Sequence, residues 1–451
     1  MSAPDLLRSA AWLRRTSLCG LVALGLAGTV QGASVEEQLQ EIVAQNRKLQ
    51  DQVQAQQRLI DALSSQVAEM RGTSAKHERE LQTLQERQNE PAPERSEVSR
   101  GGMGGVRVSG EMGLAFLRTG GNGLFPNSDF RLDDVKLFVE AQVWKDVYAF
   151  TELNLFLREF NDEALHLGEV YVDFENVSKL WHVDNLVNLR AGRFNIPFGE
   201  EYQTRGVMRN PLISHSLSDI WGTDEGIEIY GSAGKFQYVA AIQNGGHSLL
   251  HDFNSDKALI GRIGYAPQSW LRVSASAMRT GDLSVKDDVL SEVWFGNAFF
   301  RQLGAPASTL NFHADLYEVD ATVKWHGGQA LATAGRADFD DDDVTRSNAR
   351  RLKYHSFEVS QDVGEKLYFA ARYSDIRVPR GYPLVAWGNY GKYFYSGVLT
   401  ERLERLSLGL GYRIGPPLVL KFEYGLESGR TTSGAKREHE DFFSTEVGLK
   451  F

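Results

Sequence analysis

The chain ends with DFFSTEVGLKF, from Asp441 to Phe451, and this stretch alternates between two kinds of side chain. One parity is apolar or β-branched, and the other is polar or small. The first set is Phe443, Thr445, Val447, Leu449 and Phe451, and the second set is Ser444, Glu446, Gly448 and Lys450. A period of two over this length predicts a single β-strand with one apolar face and one polar face.

A long terminal strand with an apolar face is unusual in a soluble protein. The edges of soluble sheets are kept short or charged, because an open edge pairs with other chains. We therefore expect this strand to pair with Val106–Leu117, the first predicted strand. That pairing would remove both edges at once and close a barrel.

Fifteen further segments with the same alternation lie between Val106 and Glu427, which gives sixteen predicted strands. Their connections alternate between a few residues and long loops, notably residues 194–224, 280–316 and 375–401. An even number of antiparallel strands, with short turns at one end and long loops at the other, is typical of an outer-membrane barrel. A soluble β-sandwich would need a second sheet over the apolar face. A sixteen-stranded barrel encloses an aqueous lumen.

The start of the chain predicts export. Residues 1–33 combine basic residues with a short apolar run, as a secretory signal peptide does, and they contain Cys19, the single cysteine of the 451 residues. No later stretch reaches the ~18 apolar residues of a membrane-spanning helix. The remaining chain divides into a coiled-coil arm at residues 34–90, a Pro/Gly linker at 91–105 and the barrel at 106–451.

The arm repeats every seven residues. Its a positions are Leu39, Asn46, Val53, Ile60 and Val67, and its d positions include Ile42, Leu49, Leu63 and Met70. An apolar stripe this narrow is buried only against other helices, so the arm predicts oligomerisation. Branched residues at a with Leu at d favour a dimer, and Asn46 would fix the register.

The chain resembles the phosphate-selective O/P porins of Gram-negative outer membranes over its leader, arm and barrel. The resemblance rests on GRFNIPFGE at Gly192–Glu200, on Gly261-Arg262-x-x-Tyr265-Ala266-Pro267, and on the closing Phe451. It implies an all-β homotrimer of sixteen-stranded barrels, each with its third long loop folded into the lumen, in place of the dimer that the arm favours. It also implies that Phe451 faces lipid at the periplasmic rim and marks the chain for barrel assembly.

Candidate pore-lining residues are charged side chains of the polar parity and of the third loop. They are Arg190, Arg205, Arg209, Arg262, Arg272, Arg372, Glu152, Glu169, Lys324 and Arg413. Lumen charge of one sign biases the choice of ion. The leader carries +2 and residues 34–100 carry -3, which leaves -9 for the barrel in a chain of net charge -10. Because the predicted lining mixes basic and acidic side chains, the sequence leaves three alternatives open: selectivity for phosphate, preference for another anion, and no ion preference.

The sequence predicts neither an enzyme nor a protein that depends on a cofactor or a metal. Ser214-His215-Ser216 comes without an acid that would orient it for catalysis. The acidic run Asp338–Asp343 offers hard oxygen ligands for a divalent cation, but in a long loop we expect these carboxylates to be solvated. No phosphate-binding P-loop is present in the sequence, and no nucleic-acid partner is expected.

These observations predict an outer-membrane porin through which small polar or charged solutes diffuse, with the coiled coil in the periplasm. Its expected partners are further copies of itself, outer-membrane lipid, and small solutes or ions. The alternative is an envelope-tethering structural protein that acts through the arm by contacting a periplasmic partner or the cell wall.

Overall fold

The computed structural model describes residues 105–123, 125–156, 165–220, 222–245, 255–284, 309–342, 348–384 and 399–451. The predicted signal peptide, the predicted arm and nearly all of the linker lie outside these residues. Within the described ranges, no helix is both long enough and apolar enough to cross a membrane. Strands make up most of what is described.

Sixteen strands of the described chain form one antiparallel sheet, as predicted. They are β1 (Val106–Thr119), β2 (Asp129–Trp144), β3 (Val147–Phe156), β4 (His166–Phe174), β5 (Asn188–Asn195), β6 (Thr223–Ala233), β7 (Phe236–Gln243), β8 (Ala258–Gln268), β9 (Leu271–Arg279), β10 (Ala314–Trp325), β11 (Gly328–Phe339), β12 (Arg350–Val363), β13 (Leu367–Tyr382), β14 (Thr400–Gly415), β15 (Leu418–Thr431) and β16 (Phe442–Lys450). The two-residue strands Leu283–Ser284 and Asn311–Phe312 pair with each other, and the two-residue strand Lys436–Arg437 pairs with the end of β15. The connections include a 3₁₀ helix at Val177–Trp181 and an α-helix, α1, at Glu201–Thr204.

The first and last strands close the sheet into a barrel. β1 and β16 pair antiparallel, from Glu111 opposite Lys450 to Thr119 opposite Phe442. Next to this ladder, Gly110 and Phe451 exchange both backbone hydrogen bonds, at 2.9 and 3.0 Å. The other strands pair with their neighbours in the sequence. The predicted pairing of the terminal strand is therefore confirmed.

Strand alternation turns the apolar side chains outward. In β16, Phe443 and Val447 are 39% and 38% exposed, whereas Ser444 and Glu446 are 0% and 1% exposed. Around the barrel, large apolar side chains are exposed, and many carboxylates and hydroxyls are buried. Soluble proteins favour the reverse distribution. An apolar exterior around a polar interior is the arrangement that a membrane barrel requires.

The barrel has two unlike ends. At the short-turn end, residues 145–146, 234–235, 269–270, 326–327, 364–366 and 416–417 join the strands, with one longer link at 175–187. At the long-loop end, the longest connections are residues 196–222, 280–313 and 383–399. Gly327 and Gly364 have φ angles of 69° and 73° in two of the short turns, a conformation that glycine adopts without a steric cost. The predicted alternation of connection lengths is confirmed.

Two strands extend at least four residues further toward the long-loop end than the sequence pattern predicts. The pattern ends β13 at Ser374 and β15 at Glu427, but these strands continue to Tyr382 and Thr431. The predicted ends were wrong because charged residues, Asp375 and Arg377 in β13 and Arg430 in β15, interrupt the apolar parity. Backbone pairing continues where the side-chain pattern stops.

Candidate functional site

Residues 196–222 connect β5 to β6 and are called loop three, and the described residues of this loop, 196–220 and 222, lie inside the barrel. The middle of the loop reaches β15, where the backbone N–H groups of Ile213 and Ser214 each donate to the Glu423 carboxylate at 2.7 Å. The Ser214 hydroxyl donates to the same carboxylate at 2.5 Å. Loop three therefore crosses the lumen, as the family resemblance implies.

The GRFNIPFGE segment holds the start of loop three against the inner wall. Phe194, Ile196 and Phe198 are 0%, 4% and 1% exposed and belong to an apolar cluster inside the barrel. Gly199 then turns the chain with a φ of 69°, and a Cβ there would lie 2.4 Å from Glu318 Oε1. Only glycine fits this turn without strain or displacement of the neighbouring carboxylate.

A buried ionic network fixes loop three to β12 and β13. Arg205 of the loop lies 2.5 Å from one oxygen of Glu358 on β12, and Arg372 on β13 lies 2.5 Å from the other. Arg372 also donates to the Ser214 carbonyl at 2.7 Å and to Asn210 Oδ1 at 3.0 Å. Charge-assisted hydrogen bonds of this kind are stronger than neutral ones. Both arginines are nearly fully buried, so they position the loop.

Further charged groups attach the same loop to β14 and β15. Lys421 on β15 donates to Glu446 on β16 at 2.8 Å and to the Leu212 carbonyl at 3.3 Å. Arg405 on β14 donates to the His215 carbonyl at 3.1 Å. Loop three is therefore bound to the wall through charges on four strands, β12 to β15.

One group in the described chain has the donor types of a metal site, namely Glu201, His215 and Asp219, whose ligand atoms lie within 4.8 Å of one another. The Ser216 backbone N–H and hydroxyl donate to the two oxygens of Glu201 at 2.8 and 2.5 Å. His215 Nδ1 contacts Asp219 directly. The group links the two halves of loop three, and contacts within the loop already engage both oxygens of Glu201 and Oδ2 of Asp219.

The described part of the acidic run Asp338–Asp343 also receives donors from the protein. Thr309 Oγ1 and the Asn348 N–H donate to Asp341, each at 2.7 Å. Asp338 contacts Arg336 at 3.2 Å. These carboxylates organise the neighbouring loop segments.

Three adjoining cavities lie between loop three and the short-turn end, with volumes of about 880, 570 and 410 Å³. Thr204 and Arg209 line the first two, Gln203 lines the first and third, and Arg272 lines the last two. We call this connected space the short-turn vestibule.

Basic side chains outnumber acidic ones around the short-turn vestibule. The nine cations are Arg190, Arg205, Arg209, Arg262, Arg272, Lys324, Lys366, Arg413 and Lys450, and the five carboxylates are Glu111, Glu200, Glu228, Asp362 and Glu365. The sign of this lining is opposite to the net charge of the barrel segment.

Some of these cations are neutralised and others are not. Arg190 lies 2.9 Å from Asp173 and 3.2 Å from Glu228, and Arg272 lies 2.8 Å from Glu200. Arg209 and Lys324 are exposed, and neither side chain has an ion pair or hydrogen bond with another described residue. Both line the cavity of about 570 Å³.

The structure brings seven of the ten predicted lining residues together around the vestibule: Arg190, Arg205, Arg209, Arg262, Arg272, Lys324 and Arg413. The other three lie elsewhere on the inner wall. Arg372 is in the buried network, Glu152 lies 3.8 Å from Lys136, and Glu169 accepts the Asn195 N–H at 2.8 Å. Lys366, Lys450 and Glu111 were missed, although the parity of β1 and β16 places Glu111 and Lys450 on the polar face.

A row of rings on the inner wall was also missed. Phe138 and Phe150 stack at a centroid distance of 6.1 Å, and Phe150 and Tyr171 stack at 5.0 Å. Arg190 lies over Tyr171 at 4.3 Å and over Tyr230 at 5.1 Å, at distances typical of cation–π contact. The sequence could have indicated this row, because Phe138 and Phe150 lie on the polar parity of β2 and β3, which faces inward.

No protein-family model matches the chain, and no curated protein matches it. Solved structures do. OmpT, an outer membrane protein of Vibrio cholerae, matches with a TM-score of 0.50 and 12% identity over 77% of this chain and 97% of that chain. The outer membrane channel DcaP of Acinetobacter baumannii matches with the same TM-score, identity and coverage. At this identity the likeness shows a shared barrel fold, and membership of the phosphate-selective family stays a prediction.

Proposed function

We propose that the chain is an outer-membrane porin whose water-filled lumen passes small solutes and favours anions. The observation that carries this proposal is the short-turn vestibule, where nine cations face five carboxylates. The apolar exterior supports the membrane placement, and loop three supports the assignment of a constriction within the lumen. In this placement the short-turn end faces the periplasm, because barrels of this type have short periplasmic turns.

The charge near the solute path decides ion preference, and the net charge of the whole chain does not. Charges are screened over ~8–10 Å at physiological ionic strength. Carboxylates on distant loops therefore act weakly on an ion that passes Arg209 and Lys324. A lining of one sign raises the local concentration of the opposite ion. The vestibule lining supports an anion preference without selecting phosphate among anions.

The test is the reversal potential of the purified protein in a planar bilayer under a KCl gradient. Wild type should show a chloride preference, and Arg209→Glu combined with Lys324→Glu should reduce it severalfold or reverse it. The preference should also fall at 1 M salt, where the screening length is ~3 Å.

Arg279→Glu is the matched control, because Arg279 lies on the exterior of β9 with its side chain 60% exposed. It should leave the reversal potential unchanged. A wild-type preference for potassium, or an equal effect of the control, would rule out the anion preference. Absence of any channel current would rule out the porin function itself.

We also propose that residues 34–90 form a periplasmic coiled coil that holds three barrels together. The uninterrupted heptad spacing from Leu39 to Val67 supports an oligomer, and the resemblance to trimeric porins supports three chains. Residues 1–33 would be removed during export.

A further inference from the structure

Six basic residues lie in register across the exterior of the barrel near the long-loop end. The sheet pairs Arg336 of β11 with Lys353 of β12, and Lys353 with Arg377 of β13. It then pairs Arg377 with Arg402 of β14, and Arg402 with Arg430 of β15. Arg430 pairs in turn with Lys436 of the short strand that follows. Strands lie ~4.8 Å apart, so this row, the basic belt, spans about 24 Å.

The belt points away from the lumen. The side chains of Arg336, Arg377, Arg402 and Lys436 are 47%, 55%, 41% and 75% exposed. Residues next to them in the same strands face inward and are buried, as Tyr354, Ile376 and Leu403 are at 3%, 2% and 1% exposure. Directly paired residues share one face of a sheet, so the six cations form one outward surface.

Carboxylates neutralise only part of the belt. Arg336 lies 3.2 Å from Asp338, and Lys436 lies 3.6 Å from Glu438. Arg377 and Arg402 share Asp375 at 2.7 and 2.8 Å. Lys353 and Arg430 are exposed, and neither has an ion pair or side-chain hydrogen bond with a described residue. Like charges that face each other across strands are destabilising. Lys353 and Arg430 keep their charge uncompensated within the described barrel, and an anionic ligand would offset the repulsion they exert on neighbouring cations.

An apolar groove adjoins the belt on the same outer surface. It has a volume of about 1240 Å³, its floor includes Gly261, Ala275 and Ala277, and Arg336 and Lys353 lie at its rim. A Cβ on Gly261 would meet nothing within 4 Å, which shows open space there. The groove thus places room for an apolar chain directly beside groups that bind anions.

We propose that the belt binds the phosphate groups of a phosphorylated glycolipid in the outer leaflet, with an acyl chain of that lipid in the groove. Arginine binds phosphate through paired, charge-assisted hydrogen bonds, and clusters of four to eight basic residues beside an apolar membrane surface bind anionic lipid headgroups. The proposal rests on the membrane placement of the barrel and is independent of the ion preference of the lumen.

A second copy of the chain fits the belt less well than a lipid does. The outward carboxylates Glu225, Asp315, Asp375 and Glu404 already lie beside Arg193, Arg279, Arg377 and Arg402. Their charge is neutralised within one barrel, so they complement a neighbouring belt poorly. Phosphate groups of a lipid bring an unneutralised negative charge.

The experiment measures binding of bisphosphorylated lipid A to the full-length protein in detergent micelles by native mass spectrometry, beside dephosphorylated lipid A. Wild type should bind the phosphorylated lipid at least tenfold more tightly. Lys353→Gln with Arg430→Gln should abolish most of that difference. Lys145→Gln with Lys179→Gln, which removes two exposed lysines at the short-turn end, should preserve it. Heat-dependent mobility on a gel verifies that each variant is folded.

Equal binding of the two lipids by wild type, or unchanged binding by the folded belt variant, would overturn the proposal. Loss of the oligomer in the belt variant with lipid binding intact would overturn it as well, because the belt would then be an interface between copies. A gradual loss from the single variants to the double variant would support it.

Discussion

Arg372 shows how a charged residue on the inner wall acts as an anchor instead of a lining group. Arg372 is 3% exposed, and its guanidinium joins Glu358 to the carbonyl of Ser214 and the side chain of Asn210. Removing one partner from a buried ion pair leaves the other charge without compensation. The same residue therefore contributes to barrel stability and to the position of loop three.

Replacing Arg372 should affect stability and conductance together. Arg372→Met should lower the free energy of unfolding by about 3–5 kcal/mol, since Glu358 would remain buried beside a single arginine. It should also raise the single-channel conductance, because loop three loses two hydrogen bonds to the wall. Denaturant titration in detergent and bilayer recording measure these two effects.

Arg413→Met is the matched control, because Arg413 and Asp362 form an ion pair at 2.8 Å whose side chains are 46% and 39% exposed. Exposed pairs contribute ~0–1 kcal/mol, so this variant should unfold nearly as wild type does. Equal destabilisation by the two substitutions would contradict the anchoring role of Arg372.

At the scale of one element, β16 ends in an aromatic residue that completes the seam of the barrel. The Phe451 ring lies 2.5 Å from where a Cβ on Gly110 would be, so it covers the glycine with which it exchanges backbone hydrogen bonds. An aromatic residue across from a strand glycine compensates for the missing side chain. Phe451 is 68% exposed, which agrees with an outward, lipid-facing position.

Deletion of Phe451 should lower the yield of folded barrel severalfold while export to the periplasm continues, because the last pair of the seam and its aromatic cover are both lost. Fractionation and heat-dependent mobility of the folded form measure the two steps. Phe443→Ala removes another outward ring from the same strand and leaves the seam hydrogen bonds intact, so it should assemble at close to the wild-type level. Normal assembly without Phe451 would show that the seam does not need it.

At the scale of the whole molecule, the sign of the local charge differs from one surface to another. The barrel segment carries -9, but the short-turn vestibule and the basic belt both carry an excess of cations. The vestibule faces the lumen and the belt faces outward, so one chain presents two basic surfaces to different environments. Net charge describes neither of them.

The proposed oligomer is also a property of the whole molecule. Sedimentation equilibrium in detergent should give the mass of three chains, and deletion of residues 35–90 should reduce it to a smaller assembly with folded barrels. A mass of two chains would contradict the trimer implied by the family resemblance. It would agree instead with the dimer that branched residues at the a positions of the arm favour. If the deletion leaves the trimer and the channel currents intact but releases the envelope from its attachment, the arm is a tether.

The parity of residues predicts the strands, the short turns and the closing pair, because each depends on local sequence and on the two-residue period of a strand. The extents of β13 and β15 could not be predicted, since Arg377 and Arg430 are paired in the sheet despite their charge. Parity also places Arg372 on the inner wall, but its burial depends on loop three, which comes from more than a hundred and fifty positions earlier in the chain. Long-range contacts of this kind leave no local signal.

The seam between β1 and β16 has a consequence for how the chain is made. The seam joins the two ends of the barrel sequence, so it forms only after Phe451 has been synthesised. Contacts between distant segments are entropically costly and slow to form. Until then the apolar faces of the other strands have no lipid around them, and chains in that condition aggregate. The interval between synthesis and closure is thus the period in which the chain is most exposed to aggregation.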